Sequence, residues 1–131
     1  MTNNCDFCDR VTETFCIIEE STHSYAKICK WPLHPSHTLI IPKRHVAELS
    51  ELEPSEAADL LGLVTTIAKR IESRYDEPPK LFQNYGKHRS QPHLHLHLIS
   101  VKDDLRTVIS GSSERIVVPN DKMTEFAQKL K

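Results

Sequence analysis

The sequence is poor in glycine, in aromatic residues and in long hydrophobic runs. It has 131 residues with three glycines, and aromatic side chains make up 6% of it. Without a glycine-rich or low-complexity linker, residues 1–131 are predicted to form a single domain. No apolar run approaches the ~20 residues of a membrane-spanning helix, so no membrane association is expected. Residues 1–6 are polar and lack the basic segment of a secretory signal peptide, which favours a cytoplasmic location.

An excess of charge of either sign is also absent. The chain has 17 Lys and Arg residues against 18 Asp and Glu residues. A protein that coats nucleic acid carries a large basic excess, so nucleic acid is not an expected partner. There are four cysteines. In the cytoplasm they are expected as free thiols or metal ligands rather than disulfides.

Short apolar runs, separated by polar connections and prolines, predict several strands. They lie at 14–18, 25–29, 38–41, 80–84 and 93–99, with a short extension at 116–118. Apolar residues at helical spacing predict one long helix over 54–75 and a short helix over 121–130. This order of elements predicts an α+β domain with a mostly antiparallel sheet of about five strands.

The most informative segment is 93–99, in which His93, His95 and His97 alternate with leucines. In a strand, the three imidazoles would share one face and the leucines would face the core. An imidazole can attack phosphorus to form a covalent intermediate, and its neighbours can stabilise the phosphate oxygens. The same face would also suit a zinc ion. A tag-like, metal-binding tract is disfavoured because the segment is internal and its spacers are apolar.

A second candidate site is the Cys5-x-x-Cys8 pair near the N-terminus. The two-residue gap is typical of zinc sites, which need two more ligands, and His45 and His93 are the candidates. A redox pair is the alternative, but no βαβ pattern surrounds it. Cys16 and Cys29 lie in strand-like segments and are interpreted as small buried hydrophobic residues.

Three blocks of the chain together resemble one known family. Residues 93–99 match the histidine-triad (HIT) signature, residues 37–45 resemble the family's second block, and residues 84–86 resemble its Asn-x-Gly. The resemblance implies a HIT-like fold, an antiparallel sheet with one long helix, and a homodimer. It also implies a nucleotide substrate, because family members hydrolyse or transfer nucleoside monophosphates that are attached through phosphate.

The resemblance assigns roles residue by residue. His95, the middle histidine, would be the nucleophile that becomes nucleotidylated, supported by His97 and His37. Further substrate-binding residues would be Asn84, Arg89, Ser90 and Gln91, which lie in the segment before the triad.

Zinc-bearing bacterial members of the family share the Cys-x-x-Cys motif of this chain. The match implies a structural zinc, with four protein ligands and no open position. These ligands would be Cys5, Cys8, His45 and His93.

Two features of the sequence bear on the substrate, one a departure from the family pattern and the other a resemblance to one branch of the family. Where many members carry an acidic residue for the ribose hydroxyls, this chain has Cys29 or Lys30. The segment 30–37 resembles the aprataxin branch, which removes adenylate from DNA ends, and Trp31 could stack on a base.

The favoured function is a hydrolase or transferase that removes a nucleoside monophosphate, most simply AMP, from dinucleoside polyphosphates or nucleoside phosphoramidates. The alternatives are a non-catalytic nucleotide- or zinc-binding module and an aprataxin-like hydrolase of DNA 5′-adenylates.

Overall fold

The computed structural model of the protein describes residues 5–9, 14–83, 92–104, 106 and 118–131. Within these ranges the chain forms one five-stranded sheet, two α-helices and a short 3-10 helix at Leu49–Glu51. The strands are β1 (Ile17–Glu20), β2 (Ser24–Ile28), β3 (Thr38–Pro42), β4 (Lys80–Phe82) and β5 (Leu96–Ile99). The helices are α1 (Pro54–Tyr75) and α2 (Asn120–Gln128). All neighbouring strands pair antiparallel in the order β1-β2-β3-β5-β4, which confirms the predicted α+β fold.

The predicted histidine strand is shorter than the sequence pattern suggests. Strand β5 begins at Leu96, so His93 and His95 precede it. The reason is that the Leu94 N–H donates to the Val46 carbonyl (2.7 Å), and Val46 lies beyond the end of β3. The first predicted strand also begins late, because residues 14–16 form a 3-10 turn. Residues 84, 116 and 117 of the predicted strands lie outside the described residues.

Helix α1 matches the sequence prediction at both ends. Pro54 occupies the first helical turn, and Glu53 and Glu56 form a capping box that satisfies N–H groups there. Asp76 ends the helix in the left-handed conformation (φ 60°), and its N–H donates to the Glu72 carbonyl at 2.8 Å. One apolar stripe of α1 is buried against the sheet: Leu60, Leu63, Val64, Ile67 and Ile71.

The two faces of the sheet have different partners. Ala26, Ile40 and Leu96 are aligned across three strands and belong to the main core, together with buried residues of α1 and α2. On the opposite face, Tyr25 and other residues pack against the N-terminal segment that contains Cys5. The predicted leucine face is therefore confirmed for Leu94, Leu96 and Leu98, which all join the main core. The histidines are left to the face that the N-terminal segment covers.

Candidate functional site

The Cys-x-x-Cys pair and two histidines from distant parts of the chain come together in one cluster. One ligand atom each from Cys5, Cys8, His45 and His93 lies within 4.8 Å of all the others. The His93 Nδ1 atom is 3.3 Å from the Cys5 Sγ atom, and the His45 Nδ1 atom is 3.2 Å from the Cys8 Sγ atom. A tetrahedral zinc site with Zn–S of ~2.3 Å and Zn–N of ~2.0 Å has S···N edges of roughly 3.5 Å. The donor types and their separations therefore fit a zinc ion.

Local structure orients the ligands of this cluster. The N–H groups of Cys8 and Asp9 both donate to the Cys5 carbonyl (3.1 and 3.2 Å), which forms a tight turn and brings the two thiols together. His93 Nε2 lies 2.7 Å from the Pro42 carbonyl and must donate to it. The neutral ring then has its lone pair on Nδ1, which faces the thiols. In many metal sites a ligating histidine likewise donates its other ring N–H to a backbone carbonyl.

The protonation of the cluster follows from its burial. Burial lowers the pKa of His93, which favours the neutral ring that a metal ligand requires. Burial also raises the pKa of the Cys5 thiol, and the neighbouring Cys8 thiol adds to that shift. A bound divalent cation would instead lower the pKa of the Cys5 thiol, because it stabilises the thiolate directly.

His95, the predicted nucleophile, is anchored by the backbone two residues before it. Its Nδ1 atom lies 2.8 Å from the His93 carbonyl, which can only accept, so Nδ1 carries the proton. In the neutral ring the lone pair is then on Nε2. His95 is 8% exposed, and its imidazole is held in the tautomer that a nucleophilic Nε2 requires.

His37 and His97 form a directional pair beside it. The Leu33 N–H donates to His37 Nδ1 (3.1 Å), so in neutral His37 the proton is on Nε2. His37 Nε2 lies 2.9 Å from His97 Nδ1 and donates to it, which puts the proton of neutral His97 on Nε2. The His95 and His97 ring centroids are 5.0 Å apart. A ring with an Nε2 lone pair therefore lies next to a ring with an Nε2–H donor.

Two phenylalanines frame these rings. The Phe82 ring stacks on His97 with centroids 4.5 Å apart and an interplanar angle of 10°. The Phe7 ring makes edge contacts with His93 (5.9 Å) and His95 (5.0 Å), and the Tyr25 hydroxyl holds the Phe7 carbonyl at 2.6 Å. The aromatic contacts restrict ring rotation at both positions.

Sequence reasoning did not single out three of the residues on this face. Phe7, Phe82 and Lys27 are separated from the triad in the sequence, and none of them is a defining residue of a motif, although Phe7 lies between the two cysteines of Cys5-x-x-Cys8. Lys27 is 3% exposed, and its Nζ atom lies 5.7 Å from the Phe7 centroid. The register could have indicated Lys27 and Phe82, because Lys27, Leu39, His97 and Phe82 are aligned across the sheet.

The predicted substrate-binding residues Asn84, Arg89, Ser90 and Gln91 lie outside the described residues. Trp31 is described and is 49% exposed, with the Lys30 ammonium 5.2 Å from its ring centroid. Cys16 and Cys29 are both buried, as expected. In the described part of the chain, no helix has the length and apolar character that crossing a bilayer requires.

Together, the antiparallel sheet with its long helix and the hydrogen-bonded histidines on one of its faces define the class of protein with which the chain is compared. Comparison with known proteins places the chain within that class. The HIT domain profile matches residues 11–104. An adenosine 5′-monophosphoramidase of Candida albicans is 30% identical over 139 residues, covering 98% of this chain and 90% of that protein.

Two further matches are informative about the breadth of the family. The asymmetrical bis(5′-nucleosyl)-tetraphosphatase of Schizosaccharomyces pombe is 32% identical over 74 residues, covering 54% of this chain and 41% of that protein. The crystal structure of a Zn-bound histidine triad family protein from Mycobacterium smegmatis aligns with a TM-score of 0.75 at 21% identity. The alignment covers 99% of this chain and 95% of that one.

The chain belongs to the HIT family. Its curated relatives are hydrolases or transferases, and this protein is an enzyme of the same class.

Proposed function

We propose that this enzyme removes AMP from nucleoside phosphoramidates or dinucleoside polyphosphates through a nucleotidyl-His95 intermediate. The observation that carries the proposal is the pair of opposite tautomers at the site. His95 offers a lone pair on Nε2, and His97 offers a proton on Nε2. The His95 ring can therefore attack while the His97 ring donates a hydrogen bond to the leaving group.

The reaction proceeds in two displacements. His95 Nε2 attacks the α-phosphorus and forms a P–N bond, while the bond from phosphorus to the amine or phosphate leaving group breaks. The His97 Nε2–H donates a hydrogen bond to the leaving group, and His37 keeps that proton in place by its own donor to His97 Nδ1. A leaving amine takes its proton from solvent, whereas a phosphate leaves as the anion. Water then attacks the phosphorus, the P–N bond to His95 breaks, the proton of the water passes to solvent, and AMP and free His95 are released.

The names of the relatives support this substrate class. The Candida albicans relative is an adenosine 5′-monophosphoramidase and aligns over almost the whole chain. The Schizosaccharomyces pombe tetraphosphatase aligns over about half of it. We therefore place phosphoramidates first and dinucleoside polyphosphates second. Asn84, Arg89, Ser90 and Gln91 are proposed to bind the phosphate or ribose.

The Cys5, Cys8, His45 and His93 cluster is proposed to hold a structural zinc ion. The donor set, the S···N separations and the donor from His93 to the Pro42 carbonyl all support a Cys2His2 site. Four protein ligands would leave no position for substrate. The ion would cross-link the N-terminal segment to the region around the triad, and so hold Phe7 against His95.

A homodimer is proposed through the edge of the sheet at β4. A groove beside this edge is almost entirely apolar, and Leu49, Leu61 and Leu81 are each about half exposed there. An unpaired edge strand with exposed leucines favours association with a second copy. Leu81→Asp should convert the dimer to a monomer in analytical ultracentrifugation. An unchanged sedimentation coefficient would contradict this interface, and Lys69→Asp is the matched surface control.

The function is tested by a panel of an adenosine phosphoramidate, a diadenosine polyphosphate and a 5′-adenylated DNA oligonucleotide, with AMP release followed by chromatography. We expect release of AMP from the first two, and loss of turnover in His95→Ala, because the variant lacks the proposed nucleophile. His23→Ala, which changes a half-buried histidine near the β1–β2 turn, is the matched control. Turnover that persists in His95→Ala would contradict the mechanism.

The same panel separates the alternatives. Binding of AMP without turnover of any substrate would indicate a non-catalytic nucleotide-binding module. Selective turnover of the adenylated oligonucleotide would indicate an aprataxin-like activity, in which the exposed Trp31 could stack on a base. The cytoplasmic location stays a prediction from the sequence.

A further inference from the structure

A further hydrogen-bonded histidine, His34, lies in the loop between β2 and β3. Ser36 is fully buried, and His34 is half-buried beside it. His34 Nδ1 lies 2.7 Å from the Ser36 hydroxyl oxygen and 3.1 Å from the Ser36 backbone nitrogen. The backbone N–H can only donate, so His34 Nδ1 must carry a lone pair. The Ser36 hydroxyl then also donates to His34 Nδ1.

The Ser36 hydroxyl connects this loop to the residue that follows β5. The Ser100 N–H donates to the Ser36 oxygen at 2.8 Å, and the Thr38 hydroxyl donates to the Ser36 carbonyl at 2.9 Å. The loop is thereby fixed to the strand that carries His97. His34 completes the arrangement, because the Ser36 hydroxyl can donate to its ring while accepting from Ser100.

The same loop delivers the N–H that sets the tautomers of the catalytic pair. His37 N–H donates to the His34 carbonyl (2.9 Å), and Leu33 N–H donates to His37 Nδ1 (3.1 Å). We propose that His34 is a positioning residue for the His37–His97 pair, acting through Ser36 and the Leu33 N–H. This inference rests on the function proposed above and adds a residue that does not touch the substrate.

The physical reason is that the His37–His97 pair has two mirror arrangements. In one, His37 Nε2 donates to His97 Nδ1, which leaves the His97 Nε2–H to donate a hydrogen bond to the leaving group. In the other, His97 Nδ1 donates to His37 Nε2, and His97 Nε2 has no N–H to donate. The Leu33 N–H selects the first arrangement, because it needs a lone pair on His37 Nδ1. One hydrogen bond of ordinary strength shifts such a balance roughly fivefold.

The surroundings of His34 support a role sensitive to its protonation. Its ring contacts the Tyr75 ring edge at 5.4 Å, and Tyr75, Glu77, Lys102 and Asp103 line the cavity beside it. The Tyr75 hydroxyl is buried, and no described residue bonds to it. Burial lowers the pKa of His34, which maintains its lone pair at neutral pH.

The test compares His34→Ala with His34→Asn, because the asparagine side-chain oxygen can accept the two Ser36 donors and cannot be protonated. Long-range ¹H–¹⁵N spectra at pH 8 report the tautomers of His37 and His97 without any substrate. We expect mixed tautomers in His34→Ala, because the competent form falls from about five sixths to about one half, with kcat lowered roughly twofold and KM unchanged, and recovery of both in His34→Asn. His23→Ala should match the wild type.

A folded His34→Ala with wild-type tautomers and wild-type kcat would overturn the inference. If His34→Ala does not fold, a pH titration of the wild type followed by the same spectra provides the test, because protonated His34 can no longer accept from Ser36. The His37 and His97 nitrogens should then respond at the pH where His34 itself titrates, and a response independent of His34 would overturn the inference. The spectra need no turnover. An inactive wild type would therefore contradict the proposed function, whereas the spectra would still test the positioning role of His34.

Discussion

At the scale of single residues, the site is a set of imidazoles whose protons are assigned by backbone groups. The His93 carbonyl fixes His95, the Leu33 N–H fixes His37, and the Pro42 carbonyl fixes His93. This assignment needs no additional side chains, because a backbone N–H can only donate a hydrogen bond and a backbone carbonyl can only accept one. The proposed nucleophile, the hydrogen-bond donor beside it and the proposed metal ligand are therefore all of the same residue type.

This division of labour predicts that His97 matters most for poor leaving groups. His97→Ala removes the hydrogen bond to the leaving group, so we expect kcat for an alkylamine phosphoramidate to fall by about 10²–10³-fold. An ester of AMP with an acidic phenol has a leaving group that needs no such donor, so its turnover should fall far less. Parallel steady-state assays of the two substrates check this, with His95→Ala as the variant that loses both. Equal losses for the two substrates in His97→Ala would contradict the assigned donor role of His97.

The Cys-x-x-Cys pair and the resemblance to zinc-bearing members of the family predicted that Cys5, Cys8, His45 and His93 come together, as they do in the structure. The sequence was not sufficient to predict which ring nitrogen carries a proton. That depends on tertiary contacts such as the donor from Leu33 to His37, which leaves no trace in composition or spacing. The contacts of Phe7 and Phe82 with the histidine rings were missed for the same reason, since they join residues that are far apart in the sequence.

At the scale of elements, helix α1 and strands β2, β3 and β4 form where the sequence predicts them, whereas β1 and β5 begin later than predicted. Apolar periodicity and the Pro54 start define α1, and these signals are local. His93 and His95 alternate as strand residues do, but their backbone follows the segment after β3 instead of a neighbouring strand. Alternation indicates which face a side chain occupies, and pairing decides whether the backbone is a strand.

The connection from β3 to α1 provides a prediction of pH dependence. The Arg44 guanidinium forms two hydrogen bonds with Glu56 at 2.9 and 2.8 Å, and holds the pKa of that carboxyl at about 2, below its usual 4.5. A lowered pKa in the folded state means that this pair stabilises the fold above pH 4.5 and loses its effect as the pH falls toward 2.

We therefore expect Glu56→Gln to flatten the acid side of the stability curve in that interval, as measured by urea unfolding at a series of pH values. Glu72→Gln, on the same helix but outside this pair, is the matched control. The same acid dependence in Glu56→Gln and the wild type would contradict the assignment.

At the scale of the whole molecule, the cluster of two cysteines and two histidines joins the N-terminal segment to the sheet. The Tyr25 hydroxyl bond and the packing of Phe7 against His93 and His95 act at the same place. A bound ion would add its binding free energy to the stability of the fold, about 2.7 kcal/mol at a concentration one hundred times its Kd.

Zinc removal should therefore have a global effect. We expect one equivalent of zinc by elemental analysis of protein prepared without chelator. A chelator should lower the thermal unfolding midpoint by several degrees, and readdition of zinc should restore it. Cys8→Ser should abolish the chelator's effect, whereas Cys16→Ser, which changes a buried cysteine of the main core, should leave it intact. Absence of zinc from the wild type would contradict the metal assignment.

Residue 93 takes part in both halves of the site at once: its ring faces the thiols, and its carbonyl holds the ring of residue 95. The two halves are thus joined through a single residue, whose side chain belongs to one half and whose main chain belongs to the other. A single residue inserted between positions 93 and 95 would leave each half able to form alone but would separate the carbonyl from the ring that it orients. The sequence in this short stretch therefore tolerates substitution of its apolar spacer more readily than any change in its length.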